Sequence, residues 1–197
     1  LKDFLSFDVK FRKRLKALSL IQTNRVNSGS SSGSITSKRD SGDSDSGALA
    51  LALDITDPRQ VDEAVSATQK HFGSIDVLVN NAGYGYMSAV EEGEDEEVRR
   101  LFETNYFGVV NLIKKALPGM RERGRGHIVN ISSMTGLVAN PPNIYYSSTK
   151  FALEALTEGL SKELKPFGIH VTAIEPGAFR TDWGSRSMKE TATPIAA

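Results

Sequence analysis

Tyr146 and Lys150 stand four residues apart in the stretch IYYSSTK, residues 144–150. On a helix that spacing places both side chains on one face. An unperturbed tyrosine titrates near ~10 and is a poor acid–base catalyst at neutral pH. An ammonium held close to it favours the phenolate and draws its pKa toward the working range. Such a pair can give a proton to a carbonyl oxygen or take one from an alcohol. The adjacent Tyr145 has Thr149 rather than a lysine one turn further on, and reads as a wall or core residue.

The elements that must position this pair alternate along the chain. ALALALD (48–54) is a short apolar run closing on Asp54, which predicts a buried strand. Residues 57–73 predict a helix, with an Asp-Pro start, Gly73 as the stop and Val61, Ala64, Val65 and Phe72 on one face. IDVLVNNAG (75–83) predicts a strand and turn. Residues 91–118 predict one long helical stretch with acids at its start. HIVNISS (127–133) is a third strand. Residues 146–165 are helical, with Leu156, Leu160 and Leu164 repeating every fourth position. HVTAIEPG (170–177) is a fourth strand. Strand and helix in alternation predict an α/β fold, a doubly wound parallel sheet with helices on both faces. In such sheets ligands bind beyond the carboxyl ends of the strands. Asp54, Asn80, Asn81, Ser132, Ser133 and the turn Glu175-Pro176-Gly177 all fall at such ends. Each alone reads as turn or capping chemistry. Successive strand residues face opposite sides, so only one of Ser132 and Ser133 can serve the site.

Taken together, residues 48–183 resemble the short-chain dehydrogenase/reductase family, a Rossmann-fold group of NAD(P)-dependent oxidoreductases. The match rests on Asp54 in LDITD, Asn80-Asn81-Ala82-Gly83, Asn105 in NYFG, Ser133 in ISSMTG, Tyr146 with Lys150, and Pro176-Gly177 through Thr181 in PGAFRT. The resemblance implies a catalytic set of Tyr146, Lys150, Ser133 and Asn105. Tyr146 would act as general acid or base, and Ser133 would hold the substrate oxygen. Lys150 would grip the nicotinamide ribose, and Asn105 would order a relay water with it. Asp54, Asn80, Ala82, Gly83, Tyr146, Lys150, Pro176, Gly177 and Thr181 would contact the cofactor. The substrate class implied is a ketone or secondary alcohol. The helices matching 91–118 and 146–165 pair across a dimer interface in the family, which implies a homodimer or homotetramer.

The resemblance is incomplete at both ends. The family opens with a strand and a glycine-rich phosphate loop, T-G-x-x-x-G-x-G. The nearest stretch here, Ser28 to Ile35, keeps Gly29 and Gly33 but has Ile35 in place of the third glycine. Residues 27–47 are dominated by Ser, Gly and Asp and read as loop or linker. The division expected is therefore an atypical segment, 1–47, and a Rossmann-like core, 48–197. ALSLIQ (17–22) is the candidate to replace the first strand. Lys38 and Arg39 lean the cofactor toward NADP rather than NAD. A non-catalytic module that holds no cofactor is the competing reading.

Composition narrows the rest. The 197 residues carry 24 Lys plus Arg and 24 Asp plus Glu, so no general attraction to nucleic acid is expected. There is no cysteine, which excludes disulfides, thiolate nucleophiles and cysteine-bound zinc and permits a cytoplasmic location. His71, His127 and His170 have no ligand-like spacing, so no metal is expected. No apolar run approaches a membrane span.

Overall fold

In a computed structural model, the structure describes residues 17–20, 49–179 and 187–192. Its centre is a four-stranded parallel sheet. The strands are β1 (Ala17–Leu20), β2 (Val77–Asn80), β4 (Gly126–Ile131) and β5 (Ile169–Ile174), adjacent in that order. The helices between them are α1 (Pro58–Phe72), α2 (Asp95–Phe102), α3 (Gly108–Arg123) and α4 (Ile144–Leu164). Two three-residue strands, β3 (Gly85–Met87) and β6 (Met188–Glu190), pair in parallel as a separate ribbon.

α1 forms as its sequence dictates. Asp57 caps it, accepting a hydrogen bond from the Arg59 backbone, and Pro58 occupies the first turn. Gly73, with φ 82°, ends it in the left-handed conformation. Val61, Ala64, Val65 and Thr68 are buried, and the Thr68 hydroxyl donates to the Ala64 carbonyl. α4 buries Leu153 and Leu164 and packs Leu156 and Leu160 against the same core as Leu78, Leu112 and Ile128.

Two expectations need correction. The apolar run at 49–54 is not a strand: among the described residues it joins no sheet, and Leu49 and Leu51 are exposed. A strand requires a ladder neighbour for its N–H and C=O groups, and among the described residues the edge of the sheet is β1. β1 comes from the segment flagged as a replacement first strand. It lies parallel to β2, with Ala17 opposite Val77 and Leu20 opposite Asn80. The stretch 91–118 is likewise not one helix. A 3₁₀ turn at Val90–Glu92, α2, a π-helical segment at Glu103–Phe107 and α3 follow one another, and α3 runs through Pro118 to Arg123. The π turn changes which residues face inward and buries Thr104 and Asn105.

Among the described residues, no helix is long and apolar enough to cross a membrane.

Candidate active site

Four elements meet beyond the carboxyl ends of β2 and β4. The π-helical segment brings Asn105, fully buried. Its Nδ2 donates to the Tyr84 carbonyl at 2.9 Å and to Thr149 Oγ1 at 3.1 Å, and its Oδ1 accepts from the Tyr84 N–H at 3.0 Å. One amide therefore ties the turn after β2 to α4. Thr149 Oγ1 in turn donates to the Tyr146 carbonyl at 2.7 Å.

α4 brings Tyr146 and Lys150, 7% and 5% exposed. Lys150 Nζ donates to the Ile131 carbonyl at 2.8 Å, at the end of β4, and lies 5.6 Å from the centroid of the Tyr146 ring. Gly83 lets these groups approach. A β-carbon there would lie 3.2 Å from Asn105 Oδ1 and 3.7 Å from Lys150 Nζ. Any side chain at 83 would fill the space between the amide and the ammonium.

Ser133, 9% exposed, follows β4 and faces Tyr146. Its Oγ also accepts from the Thr135 backbone at 3.2 Å and the Thr135 hydroxyl at 3.0 Å. Ser132 is buried on the other side, crowded against Gly136. The serine–tyrosine arrangement is thus the one the alternation predicts. Tyr145 stays apart from it, stacking on Tyr86 and donating to the Val90 carbonyl at 2.7 Å.

The titration behaviour differs from the expectation for the tyrosine. Burial pushes the Tyr146 phenol above its ordinary value, and the Ser133 hydrogen bond only partly opposes this. Lys150 is itself desolvated, which draws its pKa down to about 8, against the raising effect of Glu154. The ammonium is directed at a carbonyl rather than at the phenolic oxygen, so spacing on one helical face does not produce a lowered tyrosine pKa here.

The residues expected at a cofactor divide in two. Gly83 lies in the turn after β2 against Asn105 and Lys150, Ala82 in the same turn is buried in the core, and Asn80 ends β2. Asn80 is buried, and its Nδ2 donates to Asn130 Oδ1 at 2.7 Å; Asn130 Nδ2 donates to Thr157 Oγ1 at 2.8 Å. The Asn80 Oδ1 is left without a partner. Pro176 and Gly177 follow β5 beside this site: the Pro176 carbonyl accepts from the Met134 N–H at 3.3 Å, and a β-carbon at 177 would meet nothing nearer than Met134 Sδ at 3.7 Å. A tight glycine at 83, an open one at 177 and a buried, basic, hydroxyl-rich floor fit a nicotinamide riboside.

Asp54, by contrast, is exposed and turned onto its own loop, accepting from the Thr56 N–H at 2.9 Å and the Thr56 hydroxyl at 2.7 Å. Thr181 and the Ser28–Ile35 stretch lie outside the described residues. Among the described residues, no group of three His, Asp or Glu side chains could hold a metal ion.

Sequence reasoning passed over Asn130 and Thr157. Asn130 carries a usable signal, since it interrupts an apolar strand, and a buried amide must find a partner. Thr157 has none, because a helical threonine usually bonds its own backbone. It does so here as well, to the Leu153 carbonyl.

Known proteins share this sequence pattern and fold. The family model for short chain dehydrogenase matches residues 29–192. A curated relative, a 3-ketodihydrosphingosine reductase of Bacteroides thetaiotaomicron, is 44% identical over 141 residues, 71% of this chain and 52% of its own length. The solved structure of ElxO with NADP bound superposes with a TM-score of 0.63 at 41% identity, covering 64% of this chain and 52% of that one. A 3-ketoacyl-(acyl-carrier-protein) reductase from Brucella melitensis, complexed with NADH, superposes with a TM-score of 0.68 at 35% identity, covering 70% and 59%. The chain spans about half the length of the curated relatives it matches.

Proposed function

The chain belongs to the short-chain dehydrogenase family, and on that premise we propose that it carries the proton-transfer half of an NAD(P)-dependent oxidoreductase acting on a ketone or secondary alcohol. The observation that supports this reading is the meeting of Tyr146 and Lys150 on one helix with Ser133 after β4 and Asn105 on the π segment, Asn105 and Lys150 closing on Gly83. The similarity to a ketone reductase and to NADP- and NADH-bound structures agrees with it.

Asn80, Gly83, Lys150, Pro176 and Gly177 would hold the nicotinamide riboside. When bound, the dinucleotide supplies or accepts the hydride. The residues of the chain handle the oxygen. Ser133 donates a hydrogen bond to the substrate carbonyl oxygen and orients it. Tyr146 donates its phenolic proton to the same oxygen as the carbon is reduced. A phenol kept protonated by burial is the form needed for that donation. Asn105 holds the turn after β2 against α4, which fixes Gly83 and Lys150 relative to the tyrosine. Phe107 and Phe151 are 47% and 43% exposed on the π segment and α4, a pair of apolar side chains suited to a dimer interface between copies.

The test is to titrate NADPH and NADH against the purified chain and follow nucleotide fluorescence. Saturable binding with ketone-dependent oxidation of the bound dinucleotide supports the reading. No binding at millimolar nucleotide would leave a non-catalytic module in its place. A monomeric mass by sedimentation equilibrium contradicts the dimer.

A further inference from the structure

Glu154 takes no part in the chemistry above. It lies one helical turn beyond Lys150 on the same face of α4. The residue is half-buried, and its Oε1 is fully buried with no hydrogen-bond partner. Opposite it stands Gly136, in the turn after β4. A β-carbon at 136 would lie 3.2 Å from Glu154 Cγ, 3.2 Å from Lys150 Cβ and 2.9 Å from Ser132 Oγ. The bare backbone at 136 therefore lets this turn close directly over the Lys150–Glu154 face and shuts water away from it.

A buried carboxylate oxygen without a partner is costly unless it answers a buried positive charge. Lys150 is that charge, 5% exposed. The groups that face it from other elements are neutral: the Ile131 carbonyl on β4, the Asn105 amide on the π segment and Gly83 in the turn after β2. Tyr146, on its own helix, carries a protonated phenol. Tyr84, in the turn after β2, directs its hydroxyl to Glu97 at 2.7 Å. Among the described residues, Glu154 is the one charge that acts on Lys150, and it acts to hold the proton on.

We propose that Glu154 is a positioning residue that keeps Lys150 protonated within the closed site, acting through space beneath Gly136 rather than through a direct salt bridge. This rests on reading Lys150 as a working ammonium beside Tyr146, but its test does not require turnover. Lys150 is titrated on the whole chain by NMR of carbon-labelled lysine, with Lys150→Met to assign the signal. In Glu154→Gln the midpoint falls by roughly one pH unit relative to the parent, the size of shift a nearby opposite charge produces. An unmoved midpoint in a folded Glu154→Gln overturns the proposal. Should that variant not fold, Glu154→Asp, which keeps the charge but withdraws it by one methylene, decides the matter. A smaller downward shift supports the assignment, and an unchanged midpoint overturns it. Where the chain turns over, the alkaline limb of its pH–rate profile moves down by the same amount in Glu154→Gln. A chain with no turnover but a shifted Lys150 midpoint sinks the oxidoreductase reading while leaving the Glu154 assignment standing.

Discussion

At the carboxyl ends of β2 and β4, polar side chains are tied to other elements: Asn105 to Tyr84 and Thr149, Asn80 to Asn130, Lys150 to Ile131. At the start of the described core, the Asp54 side chain is tied to its own loop and its N–H to Gln60 on the adjoining helix, and Leu49 and Leu51 before it are exposed. Both regions carry motif residues in the order the family requires. The difference is the presence of neighbours. Asn105 is fixed by a turn and a helix that already pack on the core. Among the described residues, the run at 49–54 has an apolar sequence and no strand beside it to pair with, and the Asp54 side chain satisfies itself locally.

The contrast can be broken first at the tyrosine. Tyr146→Phe removes the donated proton and keeps the ring, so reductase turnover should fall about 10²–10⁴-fold while nucleotide affinity changes little. Retained turnover with saturating NADPH refutes the assignment. Asn105→Ala should come next, as a loss of stability. It leaves the Tyr84 N–H and carbonyl buried without their partner, at a cost of about 3–5 kcal/mol in urea unfolding. A change below about 1 kcal/mol would show that Asn105 does not join the turn to α4 in solution.

A pH window sharpens the same comparison. Lys150 has a folded pKa of about 8 against an ordinary value of 10.5, so between these values the unfolded chain binds more protons. Stability contributed by this group therefore rises with pH from about 8 to about 10.5, by roughly 3–3.5 kcal/mol at most. Tyr146 works the other way, because its raised folded pKa makes stability fall as pH climbs past the ordinary tyrosine value near 10. Urea midpoints measured from pH 7 to pH 11 should rise and then turn over, and Lys150→Met should abolish the rise. The smallest effect belongs to the other region. Asp54→Ala loses exposed hydrogen bonds within one turn and should cost no more than about 0.5 kcal/mol. A larger loss in the free chain would mean that 49–54 pairs with a neighbour in solution.

Much of this arrangement was legible in advance. The cap at Asp57 and the stop at Gly73 delimit α1, because both act within one turn of backbone. The choice of Tyr146 over Tyr145, and of Ser133 over Ser132, follows from helical and strand periodicity. The ribbon of β3 and β6 was not legible. Its strands are three residues long, and Lys189 is held by Glu97 at 2.8 Å and by the Tyr84 ring, partners far away in the sequence. The break of 91–118 at a π turn was hidden as well, since an extra residue in a turn leaves no mark on composition.

The sequence by itself determined the bounds of α1 and the helix that carries Tyr146 and Lys150, because capping and periodicity act over a few positions. It also determined the family, through motifs in a fixed order. Only the tertiary structure decided which of those residues are answered by a partner. It buried Asn105 between two elements, left Asp54 to its own loop, and placed Lys150 against a backbone carbonyl and within the field of Glu154. Burial and through-space charge are properties of the assembled core, and with the Ser133 hydrogen bond they set whether the tyrosine keeps its proton and the lysine its charge.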